Sequence, residues 1–440
     1  MLTVFVPKLT NRVGYTLKVL FTRLMRVDYC ITTDAAHFAT LTTPTLCYAP
    51  ERVGQGVYLK SCNLLFSTTI EEQRLQCRKE ADGVIMFPVY GGGTDLPFDP
   101  LAAIFFMISR YEEYLPFKLD AHGRFGVQQS VAYREDFVMQ PVVEQWGERI
   151  AELLRRHFPE LKIVHRQFMY LQTIDIDAAW CYKHKGFGRN MAGLVRDAVK
   201  PNSWPRVVQR LRVMLRREPD PFDTYDFIIS HSPRKVGGHL LFFALVADYD
   251  HYDKPISHLE PHLRHLMMHL GDYAKIGLHP GYYTMEQPSQ FDVEKQRLEA
   301  MLHRNVLRSR FHYLRMRLPY AYRILLHAGV QTDYSMGFAD GSGFRAGISI
   351  AYPFFDLERD IETTLDIQPF CTMDTSQRMY QGLTADEAVQ QSRSLIDELK
   401  TTGGTFCSVC HNQNLSAFEG WEPWREAYAD VAKYAIAAMQ

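Results

Sequence analysis

The sequence predicts an α/β protein, a (β/α) barrel over residues 161–440 preceded by a smaller mixed α/β domain over residues 1–160. Three observations carry this. A chain of 440 residues is the length of two domains rather than one. From residue 166 onward, apolar strand-like runs alternate with helical stretches, the pattern of parallel strands joined by crossover helices. The roughly 280 residues of this alternating part suit a barrel better than a small open sheet.

In the first part, "DPLAAIFFMISRYEEYLP" reads as a helix with Asp99 as cap and Pro100 at its first position. "PVVEQWGERIAELLRRHF" (141–158) is an amphipathic helix, also opened by proline. "GGGTD" (91–95) lacks the lysine and helix start of a phosphate cradle and reads as a turn. The boundary falls near "HFPELKIVH" (157–165). Strand-like runs then occupy 166–177, 237–248, 274–280, 309–316, 330–336, 348–355, 366–373 and 404–411. Helical stretches separate several of them, at 188–217, 257–271, 290–306, 318–329, 384–401 and 421–438.

Composition narrows the function classes. The chain is 46% hydrophobic and 22% charged, which suits a folded protein, and its net charge of −1 gives no general attraction to nucleic acid. The longest uncharged apolar runs, 101–108 and 240–247, fall short of the roughly 18 residues a membrane span needs. The N-terminal stretch is interrupted by Pro7, Lys8 and Arg12 and has no signal-peptide core, so a cytoplasmic location is expected. The eight cysteines are then expected to be free thiols. "CSVCH" (407–411) matches the spacing of covalent haem attachment, but "GTFCSVCHN" reads better as a buried strand ending in His411.

The chemistry-bearing residues fall at strand ends. In "QTIDIDAAW", Asp175 and Asp177 are two apart on a strand and point to the same face. Two like charges there call for a metal, a basic partner or water. His279, His312, Asp374 and His411 occupy corresponding places in other units, and in a barrel the C-terminal strand ends converge. One stretch stands apart in charge: Lys183–Arg217 holds ten Lys or Arg and one acid, Asp197, a net +9 by count. Its segment "SWPRVVQRLRVMLRR" sets Trp204, Val207, Val208, Leu211 and Met214 along one helical face. Such a stretch suits either a solvated helix or a landing face for an anionic membrane surface or a phosphate-bearing substrate.

"TIDID", "LLFFALV", "KIGLHPGY", "HYLRMRLPYAYRILLHAGV" and "SVCHN" come in the order of the motifs of polysaccharide deacetylases, and residues 165–440 resemble carbohydrate esterase family 4, the NodB-homology type. More narrowly, "DPLAAIFFMISRYEEYLP" and "DYSMGFADGSGFRAG" resemble a bacterial branch carrying an extra N-terminal domain. The resemblance implies a distorted (β/α) barrel and a metal-dependent hydrolase that removes acetyl groups from a glycan, a glycan precursor or a lipid-linked glycan. It implies Asp175 as base, Asp177 and His279 as metal ligands, His411 as acid with Asp374 beside it, and Arg317 or its rival Arg315 orienting the base. Arg345, Tyr283 and Asn412 are the implied substrate contacts. The family's second metal histidine has no counterpart, since Tyr283 stands four residues after His279.

A catalytic zinc-type site needs about three protein ligands, and His312, on the next strand-like run, is the expected third. The ion would be Zn, or else Co, Ni or Mn. Two other functions fit parts of the pattern: a non-catalytic glycan-binding relative of the deacetylases, and a metal-dependent glycosyltransferase using Asp175 and Asp177. The second leaves the histidines idle.

Overall fold

The computed structural model describes residues 1–80, 83–201, 203–233, 238–418 and 420–439. Near the N-terminus four short strands form a parallel sheet in the order Tyr29–Thr32, Leu2–Phe5, Thr45–Ala49, Val57–Lys60. The helix Pro100–Ile108 begins as its sequence predicts: Asp99 Oδ1 accepts the Ala102 N–H at 2.9 Å, and Pro100 needs no partner for an N–H it lacks. This helix is apolar on every side, and all nine of its residues are buried. The amphipathic helix Val142–His157 packs beside it.

The C-terminal part is built on one nine-stranded sheet. Its order is Tyr352–Asp356, Ile361–Ile367, Thr332–Asp333, Arg308–Ser309, Lys275–His279, Gly238–Leu245, Met169–Ile176, Thr405–His411, Thr372–Met373. Every neighbouring pair is parallel except the first, an antiparallel hairpin. The sheet curls strongly: Leu171, Phe243, Tyr334, Phe370 and Cys407, drawn from distant places in the strand order, share one buried cluster.

The expected distorted (β/α) barrel is met in part, as a curled and mostly parallel sheet that does not close. Among the described residues the two end strands are not hydrogen-bonded to each other, so the sheet stays open. The reason lies at the hairpin edge. There the N-terminal helix Asn11–Lys18 sets the Tyr15 hydroxyl on the Pro353 carbonyl at 2.8 Å and pairs Arg12 with Asp360 at 2.8 Å. The edge is covered by another part of the chain rather than by barrel closure.

Local differences follow from turn chemistry. The helical stretch 188–217 is two helices, Phe187–Val199 and Trp204–Met214, because Pro201 and Pro205 cannot continue the first. Residues 202 and 237 of the expected elements lie outside the described residues. The expected strand 309–316 is a two-residue strand followed by a tight turn, with Tyr313 and Leu314 at φ 57° and 52°. Among the described residues no helix is long and apolar enough to cross a membrane.

A continuous core runs from Leu2 through Trp146 and Phe242 to Tyr428, so both sheets share it. Deep in it, Glu113 is bound by Arg345 (2.6 Å) and by Arg110 (2.8 Å). Burial would raise the Glu113 carboxyl, but the guanidinium groups of Arg345 and Arg110 outweigh it and hold it down at about 2. A carboxyl lowered from 4.5 to about 2 on folding contributes roughly 3 kcal/mol above pH 5, and that contribution is lost as pH falls from about 4.5 to 2. The stability gap between wild type and Glu113→Gln, measured by urea unfolding, should therefore be widest near pH 6 and shrink steadily toward pH 2.5.

Candidate active site

The C-terminal ends of the parallel strands open into a cleft of about 780 Å³. Asp175 is the penultimate residue of its strand, and Asp177 follows one residue past the strand end. His279 and His411 close the strands Lys275–His279 and Thr405–His411. His312 arrives from the turn after Arg308–Ser309, and Asp374 follows Thr372–Met373.

Asp177, His279 and His312 form a group whose donor atoms lie within 4.8 Å of one another, as ligands of one ion would. Asp177 Oδ1 is 3.4 Å from His279 Nε2 and 3.7 Å from His312 Nε2. That oxygen is buried with no hydrogen-bond partner among the described residues. Both rings hold their other nitrogen in a bond: His279 Nδ1–H donates to the Arg310 carbonyl at 2.6 Å, and His312 Nδ1–H to Asp253 Oδ1 at 2.6 Å. Each Nε2 is thereby left with a lone pair aimed at the orphaned carboxylate oxygen. The donor set fits a divalent cation of the zinc type.

The electrostatics point the same way. Burial would raise the Asp177 carboxyl, but His411, His312 and His279 hold it well below the usual carboxylate range. Burial would lower His279, and the charges of Asp175 and Asp177 raise it instead. The two aspartates thus draw positive charge into this pocket, as a proton on imidazole or as a cation.

Two further constellations flank the group. Arg310, wholly buried, donates from Nη1 to Asp175 Oδ1 at 2.7 Å and from Nη2 to Thr173 Oγ1 at 2.8 Å, while its Nε holds the Tyr334 carbonyl. On the other side, His411 Nδ1–H donates to Asp374 Oδ1 at 2.7 Å, and Nε2 lies 3.8 Å from Asp177 Oδ2. Burial would lower His411, yet Asp374 and Asp177 push it up to about 10. Asp374 is fixed in turn by the His411 N–H and by Asn414.

Other expected site residues lie elsewhere. Arg315 and Arg317 line a separate cavity of about 720 Å³, where Arg315 pairs with Glu286; Arg310 holds the place expected of them. The spacing explains the difference, since Arg310 is two residues before His312 and the chain turns away after Leu314. Arg345 is buried on Glu113 and does not line the cleft. Asn412 is buried, donating to the Ala178 and Phe222 carbonyls, and its neighbours Gln413 and Asn414 line the cleft instead. Tyr283 is 39% exposed and does not line the cleft.

Two residues that build or support the cleft, Asp253 and Arg124, carry no motif signal. Asp253 comes from the loop "DYDHYDK", whose turn is held by Asp250 Oδ1 accepting the Tyr252 and Asp253 N–H groups. Gly281 is required there, because a Cβ would stand 2.8 Å from Asp253 Oδ2 and 2.7 Å from Ala247 Cβ. Arg124, from the N-terminal part, reaches the cleft wall, donating to the Tyr313 carbonyl at 2.9 Å and the Tyr380 hydroxyl at 3.1 Å. Because Asp253 sets the ring of His312, Asp253→Asn should weaken divalent-metal affinity about 10- to 100-fold, as read by competition with a chromophoric chelator, with the fold retained.

Residues 2–159 match a family of unknown function, DUF7033. No curated protein matches the chain. Solved structures to which the chain is similar in part include a Mycobacterium smegmatis protein named for polysaccharide deacetylases (12% identity, TM-score 0.39, 62% of this chain and 85% of that one). They also include a polysaccharide deacetylase from Bacillus cereus (9% identity, TM-score 0.27, 60% and 85%). A third is a 4-alpha-glucanotransferase from Thermococcus litoralis (10% identity, TM-score 0.37, 62% of this chain but 38% of that one). With TM-scores this low, none of these likenesses bears on function; the side chains do.

Proposed function

We propose that the chain is a divalent-metal-dependent hydrolase that removes acetyl groups, held by amide or ester linkage, from a glycan or glycan precursor. The observation that carries this is the orphaned Asp177 Oδ1 facing two imidazole nitrogens, with a carboxylate and an imidazolium on either side of it. An ion held by Asp177, His279 and His312 would supply Lewis acidity toward the acyl oxygen and make a nearby water more acidic.

The chain's own groups do the rest. Asp175 takes the proton of the attacking water. Arg310 holds it turned toward the cleft through the 2.7 Å bond to its other oxygen. His411, charged at neutral pH, passes its Nε2 proton to the departing amine or alkoxide, and Asp374 holds Nδ1–H so that Nε2 faces the cleft. Tyr252, Tyr313, Tyr380 and Trp421 line the same cleft, and their flat faces suit the C–H faces of sugar rings. The reading of a non-catalytic glycan-binding relative has the family's missing metal histidine as its best support, and His312 offers a third donor in its place.

The test is acetate release from N-acetylated and O-acetylated oligosaccharides with Zn, Co, Ni or Mn supplied. Activity should vanish on chelation and return on adding the ion. Metal-loaded protein that releases no acetate from either substrate class would overturn the proposal.

A further inference from the structure

We infer that the helical hairpin formed by Phe187–Val199 and Trp204–Met214 docks on an anionic lipid surface, independently of the reaction proposed above. The two helices bury one side against each other: Arg210 donates to Asp197 at 2.6 Å and to Asn190 at 3.2 Å, and Gly193 lies directly under its guanidinium. Among the described residues, nothing covers the other side of each helix. Phe187 (78% exposed), Met191 (38%), Val195 (59%) and Val199 (76%) recur every four residues, so they form one solvent-facing apolar stripe on the first helix. On the second helix Trp204 (66%) and Leu211 (43%) are likewise exposed, whereas Val207 and Val213 are buried.

A soluble helix normally presents charge on the side away from the body. Here the outward sides carry apolar side chains beside the exposed Arg196 and Arg212, and the charge around them is mostly positive, with Arg212 paired to Glu218 at 2.9 Å. Lys200, Arg216 and Arg217 are exposed at the helix ends, within a stretch that is +9 by count, ten cations against the single acid Asp197. Asp197 is itself neutralised by Arg210 inside the hairpin. Apolar side chains exposed beside a basic rim are the composition of an interfacial helix, whose apolar face enters the headgroup boundary while its cations meet anionic lipid. The sign of the charge selects an anionic bilayer as occupant. Place agrees with chemistry: the hairpin leaves the end of the Asp175 strand, and Lys185 and Phe418, on whose ring Arg206 of the second helix lies at 5.4 Å, line the cleft.

The experiment is sedimentation of the full chain with vesicles of pure phosphatidylcholine and of phosphatidylcholine containing phosphatidylglycerol, at low and high salt. Binding is expected to the anionic vesicles only, and to weaken with salt. Val195→Asp with Val199→Asp, and separately Lys200→Glu with Arg216→Glu and Arg217→Glu, should each lower that binding at least about tenfold. Circular dichroism and the melting temperature of each variant guard against misfolding. Equal binding to neutral vesicles, no binding to either, or undiminished binding by the folded variants would overturn the inference. So would a concentration-dependent dimer, seen by light scattering, that Val195→Asp with Val199→Asp abolishes; that result would assign the stripe to a second copy of this chain.

Discussion

Asp175→Asn is expected to lower acetate release by about 10²- to 10⁴-fold, the range a positioned base contributes, while the purified variant still binds a divalent ion. The argument is geometric. One oxygen of Asp175 is taken by Arg310 at 2.7 Å, and the other lies 3.9 Å from His279 Nε2, on the side where the metal donors converge. Asparagine keeps an oxygen for Arg310 but offers an amide where a proton must be accepted. The fold cost is contained because Thr173 and the Tyr334 carbonyl still hold the guanidinium. Loss of metal together with activity would show that Asp175 is a ligand rather than a base, and full activity would exclude it from the chemistry.

Asp177→Ala should have the opposite signature. It removes the only carboxylate of the three-donor group and leaves two imidazoles. Metal affinity should fall at least about a hundredfold, beyond the loss expected from a supporting residue such as Asp253. Wild-type protein should melt at higher temperature when zinc is added, because the folded state alone holds the ion, and the variant should not. Retention of one tightly held ion by the dialysed variant would contradict this ligand set.

These contrasts also show what a sequence can carry. Asp175, Asp177, His279 and His411 are readable because each ends an apolar run long enough to announce itself as a strand. Arg310 and His312 are harder. Their strand is two residues long, and the turn that aims them depends on positive φ at Tyr313 and Leu314, which ordinary residues adopt only under tertiary constraint. The resemblance of "RLPY" in "RSRFHYLRMRLPY" to the family's R-x-P segment therefore favours Arg317 or Arg315, whereas the fold carries those two into another cavity. Asp253 has no local signal at all, being defined by its contact with a ring 59 residues away. The curled sheet shows the same limit: alternation predicts parallel strands, but whether the ends meet depends on what covers them, here the helix around Tyr15.

The Arg124 bridge to Tyr313 and Tyr380 has a consequence for modularity. One wall of the cleft belongs to a segment before residue 160, and that segment is joined to the strand-end loops by the core that both sheets share. The cleft is therefore not a transplantable cassette. A chain cut at residue 161 would lose the cover of its hairpin edge, Arg345's partner Glu113 and part of the mouth of its own cleft in a single stroke. Variation in the N-terminal part is then a direct route to changing what the cleft admits, with every strand-end residue left untouched.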